Sequence, residues 1–207
     1  MNLHPKYGNL CIPKSSASRK EFFYGHTKKK QITFIQETEG LKSVLREAWT
    51  AAGRPESTAE HSWRLALLAG LLAPSFDVNT EKVLMMCLIH DLGERYMGDI
   101  SATKNTDEHA KHAAEEQDIK KLLSLLPQKQ AQSLLALWKE YNANETPEAQ
   151  LVKALDKAET ILQHNQGKNP PDFDYAFNLE YGKSYFQHHP LLQELRQMLD
   201  AETRTHI

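Results

Sequence analysis

Four side chains in this sequence are of types that bind metal ions, and each stands where a plain helical protein would carry something else. His61 follows the string Ser57-Thr58-Ala59-Glu60 and lies beside the apolar positions Leu65 and Leu68. His90 and Asp91 close the most apolar run of the chain, Val83-Leu84-Met85-Met86-Cys87-Leu88-Ile89. Asp156 shares a helical face with Val152, Leu155 and Glu159. An ionised carboxylate on a buried face is costly unless a cation or several donors compensate it. One such misfit reads as a salt bridge, and Lys153 is the candidate partner for Asp156, although Lys153 and Lys157 are both expected to point to solvent. Misfits of ligand type at three separate places are better explained by one shared cation. Two neutral imidazoles with two carboxylates form a doubly negative set that matches a divalent ion. Such a set leaves a position open on Mn²⁺, Co²⁺, Fe²⁺ or Mg²⁺, with Zn²⁺ a further candidate. A divalent ion lowers the pKa of a water held there from ~15.7 toward ~7.

The elements that must position these residues are helical. Ser57 and Glu60 form a capping box, opening a helix through Trp63, Leu65, Leu67, Leu68 and Leu71 that ends near Pro74. Asn79 caps the next helix, whose run 83–89 is apolar on all sides and is therefore expected to be central and buried. Within it Met85 and Met86 read as core fillers and Cys87 as an inert thiol. Gly93 breaks the pattern, and residues 94–105 read as a polar loop or a short turn of helix. Further helices are expected from about Asp107 to Leu126, where Pro127 forces a boundary, and over Lys129–Tyr141. Thr146-Pro147-Glu148 starts another through Leu151, Val152, Leu155, Ala158 and Ile161. A loop over 165–175 and shorter helices near 174–182 and 189–202 complete the chain. Ile32 to Trp49 also carry helical spacing, and no strand-like alternation of useful length occurs. The expected fold is an all-α helical bundle with the metal site between its central helices. His109 and His112, three residues apart, read as part of a solvated helix face.

Composition limits the function classes. With 207 residues, 40% hydrophobic and 25% charged, the chain reads as one soluble globular domain. No apolar run approaches the ~18 residues of a membrane span, so no membrane partner is expected. Two cysteines, Cys11 and Cys87, exclude a disulfide scaffold. With no apolar stretch among the first residues to act as a leader, they point to the cytoplasm. Residues 1–30 hold seven basic side chains and one acid, so they carry +6 and the remainder −8. This predicts a basic, poorly ordered N-terminal arm over 1–30 and a domain over 31–207. An acidic body makes a poor nucleic-acid groove, so nucleic acid is not expected as the main partner.

The ordered set Arg54-Pro55-Glu56-Ser57, Glu60-His61, His90-Asp91-Leu92-Gly93-Glu94, Gly98-Asp99-Ile100 and Leu155-Asp156 resembles the HD-domain metal-dependent phosphohydrolases. It is most similar to their 5′-deoxynucleotidase branch, with its bacterial YfbR-like and HD-domain-containing protein 2 types. The likeness runs from about residue 32 to 200 and is close at Leu137–Tyr141 and Pro147–Glu159. The resemblance implies that His61, His90, Asp91 and Asp156 are the metal ligands. It makes Glu94 the catalytic carboxylate, exchanging a proton with water or with the leaving oxygen. It gives Arg54 the role of phosphate-orienting arginine. The bacterial type carries a tryptophan after that arginine, where this chain has Pro55. Asp99, Ile100, Ser101 and Ala102 match the loop that lines the nucleotide's sugar, and in some relatives Glu94, Asp99 and the Ile100 carbonyl hold a second cation. The implied activity is hydrolysis of nucleoside 5′-monophosphates, deoxy ones above all, to nucleoside and phosphate, in a homodimer by analogy. Two alternatives stay open. One is an HD phosphodiesterase or dNTP triphosphohydrolase, for which only Arg95 and Lys104 stand as additional basic residues. The other is a nucleotide-binding HD module without turnover.

Overall fold

The computed structural model describes residues 16–99 and 108–207, with side chains for 24–99 and 110–207. Its axis is helix α6 (Pro147–Gln166). Thr146 caps α6 by accepting from the Ala149 N–H, and Pro147 fills the first turn, where no hydrogen bond is forfeited. Ala149, Ala154 and Ala158 are small enough for neighbours to approach closely on several sides. The neighbours are α2 (Thr58–Leu72), α3 (Thr80–Ile89), α5 (Gln128–Ala143), α7 (Pro190–Thr203) and strand β1 (Leu45–Trp49). Val152, Leu155 and Ile161 of α6 join Leu65, Ala69, Val83, Met86, Phe186, Leu192 and Leu199 in the larger core. A second core gathers Phe34 of α1 (Ser16–Thr38), Ile119 and Leu122 of α4 (Glu108–Leu123), and Trp138 of α5. The Trp138 indole N–H donates to the His90 carbonyl at 3.0 Å, so this second core grips the end of α3.

The helical pattern is met over most of the chain. Ser57 and Glu60 form the expected capping box, and the Asn79 side chain accepts from the Lys82 N–H at the start of α3. Three expectations need correction. The first concerns 83–89, which is not the central element. Val83, Met86, Cys87 and Ile89 are buried, but Met85 and Leu88 are exposed. Helices α2, α5 and α6 pack against α3 without enclosing it, so one apolar stripe is left outward and Met85 fills no core. The second concerns where helix begins: α1 runs Ser16–Thr38 and so spans residue 30, while residues 1–15 of the expected arm lie outside the described residues.

The third concerns Leu45–Trp49, which forms a strand, β1, and pairs antiparallel with β2 (Pro55–Ser57). Helix α1 gives way to a 3-10 turn at Glu39–Lys42, and Gly53, at φ +85°, turns the ribbon back. The ribbon lies on the C-terminal half of α6: Gln163 Nε2 donates to the Trp49 carbonyl at 2.6 Å, and Lys168 N–H to the Thr50 carbonyl at 3.1 Å. In β1 the inward residues are Arg46 and Ala48, while Leu45 is exposed, so the hydrophobic alternation that marks a half-buried strand is missing. Among the described residues no helix is long and apolar enough to cross a membrane.

Between α3 and α4 a 3-10 turn, Leu92–Glu94, carries the chain past the backbone of α4. A Cβ on Gly93 would sit 2.9 Å from the Glu115 carbonyl oxygen and 3.1 Å from its Cβ. Backbone cannot yield as a side-chain tip can, so Gly93→Ala is expected to destabilise the protein by about 1–3 kcal/mol in urea unfolding.

Candidate metal centre

The four ligand-type side chains come from three helices and meet at one point. The capping box starts α2 at Thr58 and sets His61 on its inner face. His90 is the C-cap of α3, and Asp91 begins the turn after it. Asp156 lies midway along α6. His61 Nε2 is 3.2 Å from Asp156 Oδ1 and 3.8 Å from Asp91 Oδ2. His90 Nε2 is 3.0 Å from Asp91 Oδ2 and 4.0 Å from Asp156 Oδ1. Both Nε2 atoms are buried, and neither has a hydrogen-bond partner.

A buried ring nitrogen left unpaired is costly unless something else occupies its lone pair. The rings are oriented for that occupant. His90 Nδ1–H donates to the Cys87 carbonyl at 2.8 Å, and His61 Nδ1 is bonded to Glu159 Oε2. These bonds fix the tautomers that turn both Nε2 lone pairs to the centre, the pattern of imidazoles that ligate metals. Asp156 divides its oxygens the same way. Oδ2 accepts from the Tyr141 hydroxyl at 2.9 Å and the Lys157 ammonium at 3.0 Å, leaving Oδ1 for the imidazoles. Lys157 therefore turns inward rather than to solvent. The donor set suits a divalent cation: two imidazole nitrogens and two carboxylate oxygens, drawn inward with no apolar group between them.

The electrostatics arise from this crowding. Burial pushes the Asp156 carboxyl up, but Lys157 and the two imidazoles outweigh it and hold it well below the usual range. Asp91 is likewise raised by burial and brought below the usual range by His90 and His61. Burial and Arg46 push the His61 imidazole down, while Glu159 and Asp156 prevail and raise it to about 9. That proton and a metal ion compete for the same lone pair. Glu94 is buried beside this group, and its Oε2 accepts from the Thr58 hydroxyl at 3.1 Å. Burial and the charges of Asp91 and Asp99 push it well above the usual carboxylate range. Asp99 is bonded to Glu94 and is itself raised, mainly by burial. Ile100, Ser101 and Ala102 lie outside the described residues, as do Lys104 and the side chain of His109. His112 packs its ring edge-on against Trp138, with centroids 5.2 Å apart. Cys87 is buried, and its thiol is pushed up to about 12 by burial and by Asp156, as expected of an inert thiol.

The two arginines divide differently from expectation. Arg54 lies on the surface at the foot of the ribbon, its guanidinium taken by Glu60 (Nη1 to Oε2, 2.9 Å) and by the Pro55 carbonyl. It touches none of the four ligands. Arg46 does: from β1 it places Nη1 3.8 Å from Asp91 Oδ2, with Nη2 on the Thr160 hydroxyl at 3.0 Å and Nε 3.4 Å from Glu56. Burial opposes its charge, but Asp91, Glu159, Asp99 and Asp156 keep it firmly protonated. Arg46 is not among the residues expected at the site, nor are Glu56, Tyr141 and Glu159 as its partners. Glu159 carries a readable signal, since it stands three residues after Asp156 on the same face of a buried helix. Arg46 carries none once its segment is taken for a helix.

Comparison with known proteins bears on the family and the fold. A family model described as HD domain matches residues 38–196. Human 5′-deoxynucleotidase HDDC2 is 31% identical over 191 residues, covering 89% of this chain and 92% of that protein. A predicted metal-dependent phosphohydrolase from Magnetospirillum magnetotacticum MS-1 superposes with a TM-score of 0.78 at 30% identity, over 88% of this chain and 95% of the other. The cyanophage S-2L HD phosphohydrolase DatZ, solved with dA and one catalytic Zn²⁺ ion, shares the fold at a TM-score of 0.54 and 23% identity, over 82% of this chain and 94% of that one.

Because Glu159 orients His61 without being one of the four, Glu159→Gln should weaken Mn²⁺ binding roughly 10–100-fold in a calorimetric titration, and Asp156→Ala should abolish it.

Proposed function

The chain belongs to the HD-domain family, and from that premise we propose that it hydrolyses nucleoside 5′-monophosphates, deoxy ones in particular, to nucleoside and phosphate. It is a metal-dependent phosphohydrolase in which His61, His90, Asp91 and Asp156 hold a divalent ion. The observation that carries this reading is the pair of buried, unpartnered Nε2 atoms facing two carboxylate oxygens within 4.0 Å. A divalent ion in that position supplies Lewis acidity toward a phosphoryl oxygen and brings the pKa of water toward ~7.

The protein's own residues do the remainder. Arg46 takes over the phosphate-binding role expected of Arg54, because its always-charged fork reaches Asp91 while Arg54 is engaged by Glu60. Glu94, whose proton affinity is raised by burial and by its acidic neighbours, delivers a proton to the departing 5′-oxygen. Asp99 beside it lines the sugar end of the pocket. The main alternative, hydrolysis of triphosphates, needs spare cations for the outer phosphates. Arg95 is committed to Glu37, with Nε on the carbonyl at 2.7 Å and Nη2 on the carboxylate at 3.2 Å. That commitment favours monophosphates. The buried free thiol of Cys87 is in keeping with a cytoplasmic location.

The same reading includes a homodimer. Trp63, Leu67 and Leu71 repeat every fourth residue along α2 and are exposed, beside exposed Met85 and Leu88 on the adjoining α3. Large apolar side chains grouped on two neighbouring helices form the nucleus of a self-complementary interface, for which about 800 Å² per partner is typical.

Two measurements test this. Phosphate release from dAMP should exceed that from dATP, vanish with EDTA and return with Mn²⁺ or Co²⁺. Glu94→Gln should lower kcat by ~10²–10⁴-fold, and release that survives exhaustive chelation contradicts the reading. In light scattering the native chain should have a dimer's mass, and Leu67→Glu with Leu71→Glu a monomer's.

A further inference from the structure

Among the described residues around the centre, Arg46, Lys157 and Arg64 each stand against a carboxylate, and Lys153 does not. Arg46 is paired with Glu56 and Asp91, Lys157 with Asp156, and Arg64 with Glu159, Gln163 and Gln166. Lys153 lies one turn before Lys157 on α6 and makes no hydrogen bond or ion pair among the described residues. Its ammonium rests over the ring of Tyr141, 3.8 Å from the centroid. Tyr141 is the residue whose hydroxyl holds Asp156 Oδ2, and its ring meets the edge of His90 at a centroid distance of 5.2 Å. The charges that act on the Lys153 amine are those of Lys157, Asp156, Asp91 and Glu115, and through Tyr141 it stands next to the centre. Burial and the neighbouring Lys157 bring it down to about 8, against the pull of the acids. A half-buried cation without a carboxylate partner, held on an aromatic face beside two metal-ligand carboxylates, is poised for an anion brought from outside.

A phosphomonoester supplies that anion. It arrives with roughly −1.5 to −2 charges at neutral pH, next to Asp91 and Asp156. Arg46 meets it from the ribbon side, and on the α6 side Lys157 is already spent on Asp156. Resting on the phosphomonoesterase reading above, we propose that Lys153 is a second ligand of the substrate's phosphate, closing on it from α6 opposite Arg46. Its four-carbon stem lets the amine leave the Tyr141 ring for a phosphate oxygen and return when product departs.

The test uses the full chain loaded with Mn²⁺, and the variants Lys153→Met and Lys153→Arg. Binding of inorganic phosphate is measured by calorimetry, KM and kcat with dAMP, bound Mn²⁺ by elemental analysis, and Tm by calorimetric melting. Lys153→Met is expected to weaken phosphate binding and raise KM for dAMP by roughly 10–100-fold, with Mn²⁺ content and Tm held near native values. Lys153→Arg should restore most of the loss. The proposal is overturned if Lys153→Met binds phosphate as the native chain does, or if it loses phosphate and Mn²⁺ together. Native protein that binds phosphate but releases none from any nucleoside monophosphate contradicts the hydrolase reading alone. The phosphate affinity of Lys153→Met then still decides the role of Lys153.

Discussion

Negative charge brought out of water without its counterion is the constraint on which the rest of this structure depends. Asp91 and Asp156 are drawn together at the meeting point of three helices, with Glu159 buried behind them. Two imidazoles turn bare nitrogens toward the same spot. An arrangement of this kind is unstable in a low-dielectric interior unless cations answer it. The protein answers with fixed cations at the periphery, Arg46 and Lys157, and keeps the middle for a metal. The raised proton affinity of His61 is a symptom of the same imbalance.

Every element near the centre serves that concentration of charge. Helix α6 carries Asp156 to the centre, Glu159 to the back of His61 and Thr160 to Arg46. Its alanines let α2 and α3 approach closely enough for His61 and His90 to reach Asp156. Trp138 ties the last carbonyl of α3 to the second core, so the His90-Asp91 step cannot slide along the axis. Gly93 then lets the chain turn tightly under α4, bringing Glu94 beneath Thr58.

Features governed by local rules are the ones legible in the sequence. The Ser57–Glu60 box, Asn79 and Thr146-Pro147 each satisfy backbone groups within a few residues, and all three start helices where expected. The four ligand-type residues are legible because carboxylates and imidazoles among apolar neighbours need a reason to be there. Strand β1 is hidden by the same physics that makes it useful. Its inward position is given to Arg46, so Leu45 faces out and the alternation that betrays a strand is erased. Apolar residues at 41, 44, 45, 48 and 49 then imitate a helix. Lys153 and Lys157 are hidden too, since a lysine beside a carboxylate reads as solvated surface until the structure places Tyr141 under one amine and Asp156 against the other. The exposed stripe of α3 is beyond any periodicity argument, because burial is decided by how many neighbours a helix has.

The ribbon's seat on α6 has a mechanical consequence. Arg46 reaches Thr160, the strand's end is held at Gln163, and Asp156 stands one turn before Thr160 on the same rod. The arginine and Asp156 are thus tied to one helix, so motion between helices acts on their separation less than on that of side chains carried by different helices. Reorganisation on binding substrate is accordingly small on that side.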